Sequence, residues 1–390
     1  MKKGLIIVMI LLILLGGVGC YLALRFKLEV TLSSNLDVPF GTDVNLKDFI
    51  ISSNATFKDK HDTYYSLGEQ EVKIEYIDSH NKTKEYSFKI NVIDVGKPFI
   101  LANATITSYK GENVSLLKNV ICADYEDDNV SCEVIGEYDI NTIGSYKLKY
   151  LAKDSSLNEE TKDFTLNIIK KPSYIPPSNN KINYIPFKEI YDKHKNQNTM
   201  IGIDISRFQG DIDFNKVRDA GCEYVIIRLG WLVDGELGLD YKYEENIAKA
   251  KEAGLKIGLY FYSEAKTMKE TIDSVDFIVD NIKYDIDLPI AYDWEDFNHY
   301  NDYHLSIYNF NKLAYTFMDL LNEKGYKGML YASKYYLVNM WRASVYPVWV
   351  AQYYDYVTYE GDYIMWQITD RAKIDGITNG VDVDIYYLNR

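Results

Sequence analysis

Positive charge, histidine, proline and cysteine are all in short supply in this 390-residue chain. Lys and Arg total 43 against 57 Asp and Glu, a formal net charge of −14. Nucleic acid calls for cations that displace its counterions, so this balance argues against it as a partner, and equally against attraction to an anionic polymer. A neutral or mixed-charge glycan stays open, because sugars are held by ring stacking and hydrogen bonds. His194, His299 and His304 are the histidines near or within the C-terminal half, and none has H-x-x-x-H spacing; with no phosphate-cradling Gly-rich loop either, no metal and no cofactor is expected. Of the cysteines, Cys222 falls in a helix-to-strand passage and is expected to be buried and inert. Cys122 and Cys132 flank an acidic turn and are expected to form a disulfide in an oxidising space. Four of the eight prolines, Pro172, Pro176, Pro177 and Pro186, gather among Asn and Lys, marking 171–199 as a semi-rigid linker.

Charge is also missing from Gly4 to Leu24, between Lys2 and Lys3 on one side and Arg25 and Lys27 on the other. About 21 apolar residues suffice to cross a hydrocarbon layer as a helix. Residues 1–28 are therefore expected to be a cytoplasmic tip and an uncleaved transmembrane anchor, giving a single-pass membrane protein with the remainder extracellular. Gly16, Gly17 and Gly19 leave cleavage and release as an alternative, and Cys20 a lipoprotein.

From Glu29 to about Ile169 the pattern has period two: Glu71–Ile77, Tyr86–Ile93, Gly144–Tyr150 and Lys162–Ile169 alternate and are separated by turns. The stretch repeats itself roughly, with "G-x-x-x-[VL]-K-x-x-Y", a polar turn with Asp and Asn, and a closing strand in each half. Two small all-β sandwiches, 29–95 and 96–170, are expected. Through Tyr150, Asp154 and Asn158 they resemble bacterial immunoglobulin-like modules, which implies spacers or stalks.

After Met200 the grammar becomes strand then helix. Continuous apolar runs such as Tyr224–Leu229 and Lys256–Tyr262 indicate burial on both faces, and Gly221, Gly254 and Gly325 mark helix ends. About eight strands with five helices predict an α/β fold for 200–390, a degenerate (β/α) TIM-like barrel, with an open doubly wound sheet as the alternative. In such barrels chemistry sits at the C-terminal ends of strands. Asp204 ends the first strand, Asp293 and Glu295 end the fourth, and Asp382 and Asp384 lie in the last. Two carboxylates spaced by two in an extended chain face the same space, where mutual repulsion and burial raise a pKa far enough to keep a proton for transfer. Arg228 is expected to pair with these acids, Tyr262, Gln352, Tyr353 and Trp366 to line the cleft, and Trp294 to pack away from it.

The ordered set Gly202-Ile-Asp-Ile-Ser-Arg-Phe-Gln-Gly210, Val225–Gly230, Gly258–Ser263, Leu288-Pro-Ile-Ala-Tyr-Asp-Trp-Glu295, Trp349–Tyr353, Met365-Trp-Gln367 and Gly380-Val-Asp382 resembles the family 25 glycoside hydrolases, the Chalaropsis-type and phage-type lysozymes, and spans essentially all of 200–390. The resemblance implies a bacterial peptidoglycan hydrolase that cleaves the β-1,4 bond between N-acetylmuramic acid and N-acetylglucosamine, for wall remodelling or local lysis. Glu295 would be the proton donor, Asp293 the partner carboxylate, and Asp204 and Asp382 further acids of the cleft. The chain departs from the family in Arg207-Phe208 before Gln-Gly and in Asp384, where an Asn is common. Implied partners are peptidoglycan glycan strands and, through the N-terminal helix, the cytoplasmic membrane. A chitinase-like glycosidase and a non-catalytic wall-binding protein are the alternative readings.

Overall fold

The computed structural model describes residues 26–172, 183–342 and 345–390, and the chain divides into two units after Gly96. In the first unit the long hairpin Gly68–Ile77/Thr83–Ile93 carries a four-stranded sheet completed by Asp37–Pro39 and Thr56–Phe57. Alternation buries Val72, Ile74 and Tyr76 with Phe88, Ile90 and Val92 on one face. Asp78 closes the connecting turn, its Oδ1 accepting the His80 and Lys82 N–H groups at 2.9 and 3.0 Å.

The second unit begins with a β layer of the same kind. The hairpin Gly144–Lys153/Glu159–Ile169 lies between Thr105–Tyr109 and Ser131–Ile135, with Tyr150 stacked on Phe164 at 4.0 Å. A disulfide joins Cys122 and Cys132. This layer is built into the barrel that follows rather than tethered beside it. Ile121 and Ala123 belong to the barrel's outer core, and Asn301 bridges the Cys122 N–H (3.0 Å) and the Val120 carbonyl (2.9 Å). Asp128 accepts the Ser306 N–H at 2.6 Å and the Asn309 amide at 2.8 Å.

Residues 173–182 of the expected linker lie outside the described residues. Its second half is structured: Ile185–Pro186 pairs with a barrel strand, and helix α1 (Phe187–His194) buries Phe187 and Ile190. The Pro- and Asn-rich composition of the whole stretch masks this short amphipathic face.

Eight strands close the barrel: β1 (Thr199–Ile205), β2 (Tyr224–Val233), β3 (Lys256–Ser263), β4 (Ile290–Asp293), β5 (Gly328–Ser333), β6 (Val348–Ala351), β7 (Met365–Lys373) and β8 (Val381–Tyr387). β1 to β7 run parallel, and β8 is antiparallel between β7 and β1. Helices α2 (Phe214–Asp219), α3 (Tyr243–Glu252), α4 (Met268–Asn281), α5 (Ile307–Glu323) and α6 (Lys334–Asn339) fill the first five connections. The last two connections carry no helix, so β8 can turn back as a hairpin partner of β7. Outward residues such as Ile203, Val225, Ile227, Leu259, Phe261, Tyr292 and Val350 form one apolar layer with the helices, and inward Met200, Tyr224, Ile226, Met329 and Met365 fill the lower interior. Tyr224 fits only because Gly202 faces it: a Cβ there would stand 2.6 Å from the ring.

The expected membrane-spanning element is corrected, and with it the single-pass location with an extracellular catalytic domain and the membrane as a partner. Among the described residues no helix is long and apolar enough to cross a membrane. The longest, α5, has 17 residues, about 26 Å at 1.5 Å per residue against roughly 30 Å of hydrocarbon. It is amphipathic, burying Phe310, Ala314, Phe317 and Leu321 against the barrel while Asp319 and Glu323 lie elsewhere on its surface. Residues 1–25, from which the expectation came, lie outside the described residues.

Candidate active site

The period of two that buries Met200 and Gly202 inside the barrel brings Asp204 to its C-terminal mouth, and each neighbouring strand delivers a side chain by the same rule. Arg228 comes from β2, Tyr260 and Tyr262 from β3, Asp293 from β4, Tyr331 from β5, Trp349 from β6, Gln367 from β7 and Asp382 from β8. With Glu295 and Tyr353 from the following loops, and with the Ser206–Gln209 turn, Trp231 and Val233, they line a cleft of about 620 Å³.

A hydrogen-bond relay orients the floor. Gln367 donates through Nε2 to Asp204 Oδ2 at 2.8 Å, while its Oε1 accepts the hydroxyls of Tyr331 and Tyr353, both at 2.9 Å. Burial raises the pKa of both tyrosines, so they remain donors. Asp384, fully buried below Asp204, accepts the Trp349 indole N–H at 2.9 Å. Arg228 does not pair directly with the reacting acids. It is held by Asp240, buried to 1% exposure, through Nε at 2.8 Å and Nη2 at 2.7 Å.

The charge on each of these carboxyl groups adds to burial in raising the proton affinity of its neighbours. Burial raises Asp293 well above its ordinary value, followed by the charges of Glu295 and Asp204, with Arg228 opposing; among the described residues none hydrogen-bonds to its Oδ1. Burial brings Asp204 up to about 7 against the Gln367 hydrogen bond. Asp382, half-buried, rises to about 9 through desolvation and then the charges of Asp204 and Asp370. Asp384 is raised well above the carboxylate range by burial, then by Asp204 and Asp382. Glu295 stands open to solvent at the mouth, yet enough protein surrounds it that desolvation raises its carboxyl as well. Among the described residues, no three of these carboxylates bring oxygens close enough together to hold one cation.

Of the residues singled out in the sequence, Asp204, Asp293, Glu295, Asp382, Tyr262, Tyr353 and Arg228 meet in the cleft, and Gln352 and Trp366 do not. Trp366 is one residue out of phase with inward Gln367, so it points into the outer layer. There its indole N–H bonds the Gln352 carbonyl at 2.8 Å, and His194 packs edge-on. The Gln352 side chain closes its own loop on Thr358. Trp294 is buried outward among Phe297, Tyr300, Tyr303 and Phe310. Cys222 is buried and its thiol pushed up to about 12. Sequence reasoning missed Tyr260, Tyr331, Trp349, Gln367 and Asp240. The signal for two of them was register: Asp293 pairs with Tyr331, and Tyr331 with Trp349.

A closed barrel with acids clustered at the C-terminal mouth places ionisable side chains where such barrels carry their chemistry. Residues 203–377 match the family described as Glycosyl hydrolases family 25. The chain is 29% identical over 195 residues to the autolytic lysozyme of Clostridium acetobutylicum, covering 47% of this chain and 55% of that one, so it spans about half the length of this relative. It is 27% identical over 219 residues to the uncharacterized protein YegX of Escherichia coli K12, covering 52% of this chain and 75% of YegX. Among solved structures it is similar to the Clostridium perfringens spore cortex lytic enzyme SleM (TM-score 0.44, 19% identity, 50% of this chain and 69% of that one). It is also similar to a family 25 glycosyl hydrolase from Bacillus anthracis (TM-score 0.43, 20% identity, 50% and 93%).

Proposed function

We propose that this protein is a lysozyme-type peptidoglycan hydrolase that cleaves the β-1,4 bond between N-acetylmuramic acid and N-acetylglucosamine. The observation that carries the reading is the convergence of Asp204, Asp293, Glu295 and Asp382 on one cleft with raised proton affinity, on a domain matching family 25. Glu295, at the mouth with its proton retained by desolvation, delivers that proton to the glycosidic oxygen as the bond breaks. Asp293, buried and with a free acceptor atom, orients the substrate's N-acetyl group or stabilises charge developing on the sugar. Asp204 and Asp382 hold the electrostatics of the cleft, with Asp204 fixed by Gln367. Tyr262 and Tyr353 offer faces and hydroxyls for sugar rings. The biological setting is wall remodelling or local wall lysis, and the two β units are read as immunoglobulin-like modules.

The test is mass spectrometry of soluble fragments released by the full chain from purified peptidoglycan. Fragments ending in reducing N-acetylmuramic acid are expected. Glu295→Gln should lower their rate of release by about 10²–10⁴-fold, the range for loss of a general acid, with the fold unchanged by circular dichroism. Full activity in Glu295→Gln would overturn the assignment, and reducing-end N-acetylglucosamine would overturn the choice of bond.

A further inference from the structure

One wall of the cleft is built differently from the acids. The Ser206–Gln209 turn is fixed by a reciprocal capping box, in which Ser206 Oγ accepts the Phe208 N–H at 3.3 Å and Gln209 Oε1 accepts the Ser206 N–H at 2.8 Å. The Arg207 N–H is anchored on Asp240 at 3.1 Å. Trp231 is held from behind by the strand Glu236–Leu239, where Gly238 leaves room for the indole: a Cβ there would lie 2.5 Å from the ring. Between these supports the Arg207 guanidinium lies 4.5 Å from the Trp231 ring and 5.1 Å from the Phe208 ring, and Phe208 is 66% exposed.

The two arginines of the cleft differ in what remains of their hydrogen-bonding capacity. Arg228 lies over the same two rings, 5.0 Å from Phe208 and 5.6 Å from Trp231, but its charge is paired with buried Asp240. Arg207 lies over the Phe208 and Trp231 rings and has no ion pair and no side-chain hydrogen bond with any described residue. A guanidinium packed against aromatic rings with no acid beside it keeps N–H donors available for a planar carboxylate. Beside it, an exposed Phe offers a face for a sugar ring. Of the two cations lining the cleft, Arg228 is neutralised by Asp240 and the remaining charged groups are acidic, so Arg207 is where an anionic substituent meets an uncompensated positive charge.

We propose that Arg207, with Phe208 and Trp231, forms a specificity shelf that binds a carboxylate carried by the glycan strand. The carboxylate is that of a lactyl ether on the sugar or of a peptide attached to it. The inference deepens the muramidase reading and rests on it.

The full chain carrying Glu295→Gln, which leaves the ligand intact, is titrated calorimetrically with three glycan tetrasaccharides. One has free lactyl carboxylates, one has them methyl-esterified, and one has them amidated by a peptide with free carboxylates. At least one carboxylate form should bind about tenfold more tightly than the ester, as expected for one charge-assisted contact in a partly open site. Adding Arg207→Gln should bring that ratio close to one, while adding Phe208→Ala should weaken all three ligands alike. The form that shows Arg207 dependence identifies the source of the carboxylate. An acid-to-ester ratio unchanged by Arg207→Gln overturns the shelf and leaves the muramidase reading standing. Failure of the Glu295→Gln chain to bind any of the three overturns that reading and the shelf together.

Discussion

The two ends of the barrel interior are lined by the same strands at the same phase, yet they obey opposite rules. At the lower end Met200, Tyr224, Ile226, Met329 and Met365 pack against one another. Two to four residues further along, the inward positions become Asp204, Arg228, Asp293, Gln367 and Asp382. Volume decides what is tolerated below and proton affinity decides it above. Asp384 sits at the changeover, buried as deeply as the methionines but bonded to Trp349 and raised by Asp204 and Asp382.

Exchanging damage between the ends should break the comparison if it is wrong. The largest stability effect is expected from Met329→Ala at the lower end: a loss of about 2–5 kcal/mol, typical of a large-to-small change in a packed core. It should be read by urea unfolding, with kcat of the folded fraction little changed. Glu295→Gln should do the converse, lowering turnover by about 10²–10⁴-fold while moving the unfolding midpoint hardly at all. A strong loss of kcat per folded molecule in Met329→Ala would mean that the two ends are coupled.

The next effect is pH dependence. Asp204, Asp382 and Asp384 bind protons more tightly in the fold than in the unfolded chain, so the folded state holds the extra protons. Their contribution is therefore fully present below the ordinary carboxylate pKa of about 4. It is lost as pH rises through the folded values, about 7 for Asp204 and about 9 for Asp382. Thermal unfolding should show a lower midpoint at pH 8 than at pH 5, and Asp384→Asn should shrink that difference. Activity should fall on the alkaline side as Glu295 loses its proton. A midpoint that rises from pH 5 to pH 8 would contradict the raised proton affinity of these acids. The smallest effect is expected from Tyr353→Phe, which removes one of two hydroxyls holding Gln367. A hydrogen bond worth about 1 kcal/mol corresponds to about a fivefold loss in kcat/KM, with stability nearly unchanged.

Much of this was legible in one dimension. Continuous apolar strands alternating with glycine-terminated helices implied a parallel barrel, because burial on both faces leaves no polar phase to read. The acids Asp204, Asp293, Glu295 and Asp382 stood out because charge at the end of an apolar strand is costly without a function. Period-two alternation also turned Trp294 outward. The same rule applied to inward Gln367 turns Trp366 away from the cleft, although the sequence reading had placed it there. The apolar run at 4–24 implied a membrane span, whereas among the described residues the longest helix is an amphipathic one on the barrel.

What the sequence by itself determined is therefore local: strand phase, helix ends, the hairpin repeat and the acids at the strand ends, all properties of residues a few positions apart. What only the tertiary structure decided is which distant groups meet. Gln367 reaches Asp204 across 163 positions. Arg228 is taken by Asp240 instead of the reacting acids. Asp128 of the β layer accepts the N–H of Ser306, the residue that caps α5. Arg207 is left beside two rings with no acidic partner for its guanidinium among the described residues. Such pairings depend on barrel closure and strand register, which set distance and desolvation together, and no spacing along the chain encodes either.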